Sequence, residues 1–175
     1  MAVIVLLAFV MLRIRRLSPD EWTIAKRLRL AALEANPDAF GATLDEEAGY
    51  VEGKWRARLA RSDCATFVAF TGGDEPAGII VGAPYGNKAG LFSMWVDARH
   101  RGKGFGGALV DVVIDWAKKN GYSELLLDVA DNNQPAIALY ESRGFAPTGA
   151  KGALPAPRDN VTEHQRILRL QTSWL

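Results

Sequence analysis

The chain has a single cysteine, Cys64, and two histidines, His100 and His164, that stand far apart. One thiol closes no intramolecular disulfide, and the histidines offer no spacing suited to zinc, so neither a disulfide scaffold nor a metal site is expected. Charge of one sign is also lacking: 21 Lys and Arg against 20 Asp and Glu leave a formal +1. No overall field draws the chain to nucleic acid or to an anionic membrane, and any charge-guided binding has to be local. The longest apolar run, Met1 to Leu12, falls short of the roughly 20 residues that a membrane-crossing helix needs. It lacks the leading positive charge and the small-residue cleavage site of a secretory signal. A cytoplasmic protein without stable membrane insertion is therefore expected. Internal repeats, low-complexity tracts and interdomain linkers are missing as well. At 175 residues and 49% hydrophobic content, the composition fits one domain with a sizeable core. That domain is expected over residues 11–175, while residues 1–10 lie outside the fold, lengthen its first strand or pack on a partner.

What is present follows a regular order. Leu12 and Ile14 alternate with Arg13 and Arg15, the period of a half-exposed strand that begins at Met11 and ends near Leu17. Ser18-Pro19-Asp20-Glu21 reads as a capping box, and Trp22, Ala25, Leu28, Ala32 and Leu33 recur at helical spacing until Pro37 ends the helix. Thr43 to Glu46 repeats the capping pattern ahead of a second helix, expected to run to about Arg61 with Trp55 and Leu59 one turn apart. Cys64 to Thr71 and Ala77 to Gly82 form a hairpin, and Ala89 to Val96 is the next strand. Leu109, Val112, Val113 and Trp116 mark a helix that ends at Gly121, and Glu124 to Val129 is a short buried strand. A strand, helix, strand unit of this kind implies parallel neighbours. Asn132 or Asn133 caps a further helix closed by Gly144, Phe145 to Thr148 begins another strand, and Gln165 to Leu170 is the last, after a loop from Gly149 to about Glu163.

The junction between the Val96 strand and the following helix gathers Arg99, His100, Arg101, Gly102, Lys103, Gly104, Gly106 and Gly107. Glycines let main-chain N–H groups approach a ligand, and the first turn of a helix carries roughly half a positive charge, so the junction suits a phosphate or pyrophosphate. Gly102, Gly104 and Gly107 also satisfy the dinucleotide pattern G-x-G-x-x-G, with Asp128 placed like its ribose-binding acid. That reading meets three obstacles. Asp97 to Arg101 separate the strand from the first glycine, too little chain follows Asp128 for a doubly wound sheet, and a hairpin precedes the unit. A P-loop is excluded because no Gly-Lys-Ser/Thr ends the turn.

In another frame, Arg101-Gly102-Lys103-Gly104-Phe105-Gly106 fits Arg/Gln-x-x-Gly-x-Gly/Ala, and Asn133, Ala136, Leu139, Tyr140, Gly144 and Phe145 fit Asn-x-x-Ala-x-x-Leu-Tyr-x-x-x-Gly-Phe. With these two motifs in this order, the chain resembles the GNAT family of N-acetyltransferases, and the likeness extends over most of residues 11–170. The resemblance implies an α/β fold with a mixed central sheet of about six to seven strands, flanked by about four helices and splayed between strands 4 and 5. Ala98 departs from the proline frequent at that place in the family.

The resemblance further implies acetyl-CoA as co-substrate, without a metal, and an amine acceptor on a small molecule, a peptide N-terminus or a protein. A homodimer is compatible with it, and so is a non-catalytic acyl-CoA sensor of the same fold. The pyrophosphate would rest on Arg101, Gly102, Lys103, Gly104, Phe105 and Gly106, with Arg99 and His100 at the rim. The extended pantetheine arm would pair along Ser93 to Val96, including Trp95, and Asn133 would bond it. Tyr140 is the implied general acid, a phenol protonated at neutral pH. A main-chain N–H near Val96 is the implied oxyanion donor. The general base is not identified, because Leu91 to Val96 contains no carboxylate; Asp97, Asp128, Glu46 and Glu47 are the candidates. Acceptor selection is expected from residues 36–44 and 149–163, with Phe40, Tyr50, Trp55 and Trp22 as wall candidates, the two tryptophans also fitting the core.

Overall fold

The computed structural model of the chain describes residues 12–171. The apolar residues 1–10 and the expected strand start at Met11 lie outside them. Strand β1 (Arg13–Arg16) leads to Ser18, whose N–H donates to the Glu21 carboxylate at 2.9 Å; a single 3-10 turn there opens helix α1 (Trp22–Ala35). Ala25, Leu28, Ala32 and Leu33 of α1 are buried as their spacing requires, and Trp22 is half-buried.

The expected second helix is two helices. Helix α2 (Leu44–Ala48) starts where Thr43 Oγ1 accepts from the Glu46 N–H, and α3 (Glu52–Ala60) carries the buried Trp55 and Leu59. Between them the Tyr50 N–H turns back onto the Glu47 carbonyl at 3.1 Å, and Tyr50 packs its ring against Trp55. That short turn ends α2, and a helical apolar spacing confined to α3 cannot reveal it.

Strands β2 (Ala65–Phe70), β3 (Pro76–Tyr85) and β4 (Lys88–Val96) form an antiparallel meander. Helix α4 (Phe105–Lys119) crosses to β5 (Glu124–Ala130), which lies parallel to β4. Helix α5 (Gln134–Ser142) and the hairpin of β6 (Ala146–Ala153) and β7 (Thr162–Arg169) complete the chain. The seven strands form one mixed sheet in the order β1-β2-β3-β4-β5-β7-β6, as the expected fold class requires. Strand β6 continues to Ala153, where a loop was expected from Gly149. Every residue of it is exposed at the sheet edge, so no apolar alternation announces it. Among the described residues no helix is long and apolar enough to cross a membrane.

The two faces of the sheet bury separate apolar layers. Leu109, Val110, Val113 and Trp116 of α4 pack with Leu125, Leu127 and Val129 of β5 and with Tyr140 and Phe145. Leu28, Ala32 and Leu33 of α1 pack on the other face with Val68, Ile79 and Trp95. Period-2 alternation assigns each strand residue to a layer, yet Leu91 and Val96 of β4 share the α4 layer although an odd number of positions separates them. A β-bulge accounts for this. Ile79 pairs with Trp95 and Val81 with Phe92, so β4 spends one residue more than β3, and the extra residue inverts the alternation. Ser93 within the bulge has a left-handed φ of 56°.

One close approach sets the fit of α4 on the sheet: a Cβ at Gly82 of β3 would lie 2.5 Å from the Trp116 ring. A rigid indole in a packed layer cannot yield that distance, so Gly82→Ala is expected to destabilise the fold by about 1–3 kcal/mol. Urea unfolding followed by tryptophan fluorescence measures it.

Candidate active site

Strands β4 and β5 pair only at Ala89 with Leu125 and Gly90 with Leu126, and then diverge. Past that point the main chain of β4 faces a gap instead of a neighbouring strand. The gap is a cleft of about 800 Å³ that reaches both faces of the sheet. Along β4 it is lined by Leu91 to Val96, along β5 by Asp128 to Ala130, and along α5 by Asn133, Ala136, Leu139 and Tyr140. Gly102, Gly104 and Gly106 line one end, and Asn36, Phe40 and Gly41 line part of the α1 side.

The glycine end has the form that the sequence suggests, with different reasons at different positions. Gly102 and Gly104 have φ of 73° and 85°, where a side chain would be strained, and a Cβ at either would meet open space. Gly104 is the N-cap of α4, so the N–H groups of Phe105, Gly106 and Gly107 have no intrahelical acceptor. Gly106 is small for packing as well as access, because a Cβ there would meet Met94 at 3.0 Å and Leu139 at 3.2 Å. Gly107 gives room to the Arg143 guanidinium, which bonds Asp111 at 3.2 and 3.4 Å.

Several expected contacts turn inward. Arg101 donates from Nε to the Val96 carbonyl at 3.0 Å and from Nη2 to Asn36 Oδ1 at 3.1 Å; Trp95 Nε1 donates to that same oxygen at 3.0 Å. The guanidinium thus ties the glycine turn to the end of β4 and to the end of α1. Lys103 Nζ donates to the Arg99 carbonyl at 3.0 Å, and Arg99 pairs with Asp97 and Glu75. Neither Lys103 nor Phe105 lines the cleft: Phe105 is buried in the α4 layer against His100. Trp95, Val96, Asn133 and Tyr140 do line it. Asn133 caps α5 by accepting from the Ala136 N–H at 3.4 Å. Tyr140 is buried, and burial alone pushes its phenol above the ordinary tyrosine value.

The four candidate bases separate sharply. Asp97 accepts from the Arg99 side chain and main-chain N–H, which hold its carboxyl down at about 2, and it lies outside the cleft lining. Glu46 is exposed and accepts from the Tyr50 hydroxyl at 3.0 Å. Glu47 is 1% exposed and clamps Arg29 through two hydrogen bonds of 3.0 and 3.1 Å, with Arg58 beside it. Of the four, Asp128 alone lines the cleft; it accepts from the Tyr85 hydroxyl at 2.9 Å, and Gln165 Nε2 donates to that hydroxyl at 3.1 Å.

Four features have no individual role in the sequence reading, although Asn36, Arg158 and Glu163 fall within the stretches expected to select the acceptor. Arg29, held by Glu47, donates from Nη1 to Ser93 Oγ at 3.1 Å, so a buried carboxylate fixes the arginine that steadies the bulge. Asn36 is the acceptor that joins α1, β4 and the glycine turn. Glu163 lines the cleft from β7. Arg158, from the loop after β6, donates to the carbonyls of Pro37, Phe40 at 2.7 Å and Gly41 at 3.1 Å, and so ties together the two loops expected to select the acceptor. These pairings are long-range, and only the motif around Arg101 could have hinted at one partner. Of the expected wall residues, Phe40 lines the cleft, Trp55 is core, and Tyr50 and Trp22 do not line it.

The profile of the Acetyltransferase (GNAT) family matches residues 26–145. The chain is 46% identical over 59 residues to N-acetyltransferase 8 from Homo sapiens, a match that covers 34% of this chain and 26% of that protein. This chain therefore covers about a quarter of that relative's length. Among solved structures it is similar to an acetyltransferase of GNAT family from Streptococcus pneumoniae, with a TM-score of 0.76, 22% identity, and 92% of this chain and 100% of the other covered. It is also similar to the ribosomal-protein-S18-alanine N-acetyltransferase from Escherichia coli, with a TM-score of 0.70, 23% identity, and 94% and 97% covered. At these identities the two structures establish the fold.

The Glu47 clamp yields a stability test. Burial opposes its ionisation, but Arg29 and Arg58 outweigh burial and hold the carboxyl below the ordinary 4.5. A depressed carboxyl contributes stability that is present above its unfolded value and lost as the pH falls through the folded one. Glu47→Ala, which strands two guanidinium groups, is expected to cost about 3–5 kcal/mol at neutral pH. It should also flatten the wild-type loss of stability below pH 4.5, as read by urea unfolding across pH 3–7.

Proposed function

The chain belongs to the GNAT acetyltransferase family, and on that premise we propose that it is an acetyl-CoA-dependent N-acetyltransferase acting on a primary amine by direct transfer. The observation that carries the proposal is the unpaired stretch of β4 beside a glycine-built helix N-terminus, in one continuous cleft. The donor set fits the co-substrate's chemistry. The free N–H groups of Phe105, Gly106 and Gly107 suit a pyrophosphate. The open main chain from Ser93 to Val96 suits an extended chain bearing amides, which pairs as an added strand would. Asn133 stands where it can bond that arm while it caps α5. Arg101 serves by holding the turn in place, and Lys103 contributes charge at the rim.

Transfer requires a neutral amine, a donor to the developing oxyanion and a proton for the departing sulfur. Asp128 is assigned as the base because it lines the cleft and has no cationic partner among the described residues. The amine nitrogen attacks the thioester carbonyl, the C–N bond forms as the C–S bond breaks, and the nitrogen's proton passes to Asp128. A main-chain N–H near Val96, beside the bulge, donates to the oxyanion. Tyr140 donates to the sulfur: burial keeps its phenol protonated at neutral pH, the proton passes to the sulfur as thiolate character develops, and the phenol then regains a proton from solvent while Asp128 releases the one taken from the amine. Leu125, Leu127 and Val129 face the layer that contains Tyr140, and alternation turns Asp128 to the opposite face of β5. Base and acid therefore approach the gap from opposite sides.

Thiol release from acetyl-CoA across a panel of amines tests the activity. Tyr140→Phe should lower kcat by about 10²-fold or more, with the rise in melting temperature on adding CoA almost unchanged. Asp128→Asn should lower kcat/KM by a similar factor. Tight CoA binding without turnover of any amine would overturn the enzyme assignment.

A further inference from the structure

The cleft holds two acidic side chains that no cation among the described residues neutralises. Asp128 of β5 and Glu163 of β7 both line it. In the antiparallel pairing Asp128 stands opposite Gln165 and Ala130 opposite Glu163, so the two carboxylates are diagonal neighbours on one face, a relation that spans about 7–8 Å. Among the described residues Asp128 has the Tyr85 hydroxyl and Glu163 has no side-chain hydrogen bond or ion pair. Cations line the same cleft but are committed elsewhere: Arg29 to Glu47 and Ser93, Arg101 to Asn36 and Val96, Arg143 to Asp111. The wall beside the acidic pair is aromatic. Phe92 stacks on Tyr85 with centroids 6.1 Å apart, and it is 38% exposed although it is a large apolar side chain. An open ring next to uncompensated carboxylates is a surface that a cation satisfies twice, through charge and through the ring face.

We propose that Glu163 binds a second positive charge on the acceptor while Asp128 meets the reacting amine, so that the preferred acceptor is a primary amine bearing another cationic group. The proposal rests on the N-acetyltransferase reading for the identity of the cleft. Like-charge proximity agrees with it: burial and the Asp128 charge both raise the Glu163 carboxyl above its ordinary value, a cost that a bound dication removes. The shared chemistry is a dication, and it has two sources, a small diamine or a peptide N-terminus followed by a basic side chain.

The test measures binding to the full chain saturated with free CoA, which does not depend on turnover. By calorimetry, 1,5-diaminopentane is compared with pentylamine and with 6-aminohexanoate, and alanyl-lysine amide with alanyl-norleucine amide. At least one dicationic member should bind about tenfold tighter than its monocationic counterpart, and the aminohexanoate should bind weakest. Glu163→Gln should bring that ratio to within about threefold of unity, with its fold verified by an unchanged rise in melting temperature on adding CoA. Preference for the diamine alone identifies a small-molecule acceptor, and preference for the lysyl peptide alone a peptide acceptor; both uphold the dication. Equal binding of all isosteres, tighter binding of the aminohexanoate, or a preference that survives in Glu163→Gln overturns it. Acetyl transfer is followed in parallel: selective binding without turnover would count against the enzyme reading and leave cation recognition standing.

Discussion

The arrangement of this molecule depends on two neighbouring parallel strands that stop being hydrogen-bonded. β4 and β5 share a ladder at Ala89 and Gly90 and nowhere beyond. Main-chain groups left without a partner in the middle of a sheet are costly unless something else satisfies them, and here the divergence opens a cleft in which those of β4 are accessible to a ligand or to solvent. The bulge at Ser93 belongs to the same solution. It shifts the side-chain parity of β4 midway, so that Leu91 and Val96 remain in the α4 layer while the strand bends away from β5.

Polar groups around the cleft serve mainly to fix that irregular geometry. Glu47, buried behind the cleft, holds Arg29, and Arg29 reaches Ser93. Asn36 takes hydrogen bonds from Trp95 and from Arg101, which also caps the last carbonyl of β4. The left-handed conformation at Ser93 is strain that its surroundings must over-determine, and these bonds supply the constraint. A glycine turn whose cations are used internally offers an anion main-chain N–H groups and the helix terminus for attraction. Attraction of that kind is sequence-tolerant at the side-chain level and exacting in backbone conformation.

The fold was legible where local pattern and global structure agree. Capping residues at Ser18, Thr43 and Asn133, helical stripes in α1 and α4, and the apolar strands β2 to β5 all read correctly, and two spaced motifs named the family. Three things escaped for physical reasons. The break between α2 and α3 depends on a turn stabilised by Tyr50, whose partners Glu46 and Trp55 lie on both sides of it. β6 is an exposed edge strand of small and polar residues, held by its pairing with β7 and not by burial. The bulge lies at a serine, where nothing in the residue type suggests a positive φ. At the site, the expected glycine turn, Asn133 and Tyr140 all line the cleft except Lys103 and Phe105, and Glu163 ends a stretch expected to select the acceptor; the Glu47–Arg29–Ser93 chain was not legible, because such pairings join residues far apart in sequence.

Arg158 bridges the loop after β6 to the loop after α1 by donating only to carbonyl oxygens, those of Pro37, Phe40, Gly41 and, at 3.5 Å, Ala42. Carbonyls are present whatever side chains the loop carries, so the anchor is blind to composition. The loop after α1 can therefore change its side chains residue by residue during divergence while its main chain stays anchored. A change in loop length, by contrast, would shift all four acceptors at once. The chemistry of such a loop is free to drift by substitution, while its path is sensitive to insertion.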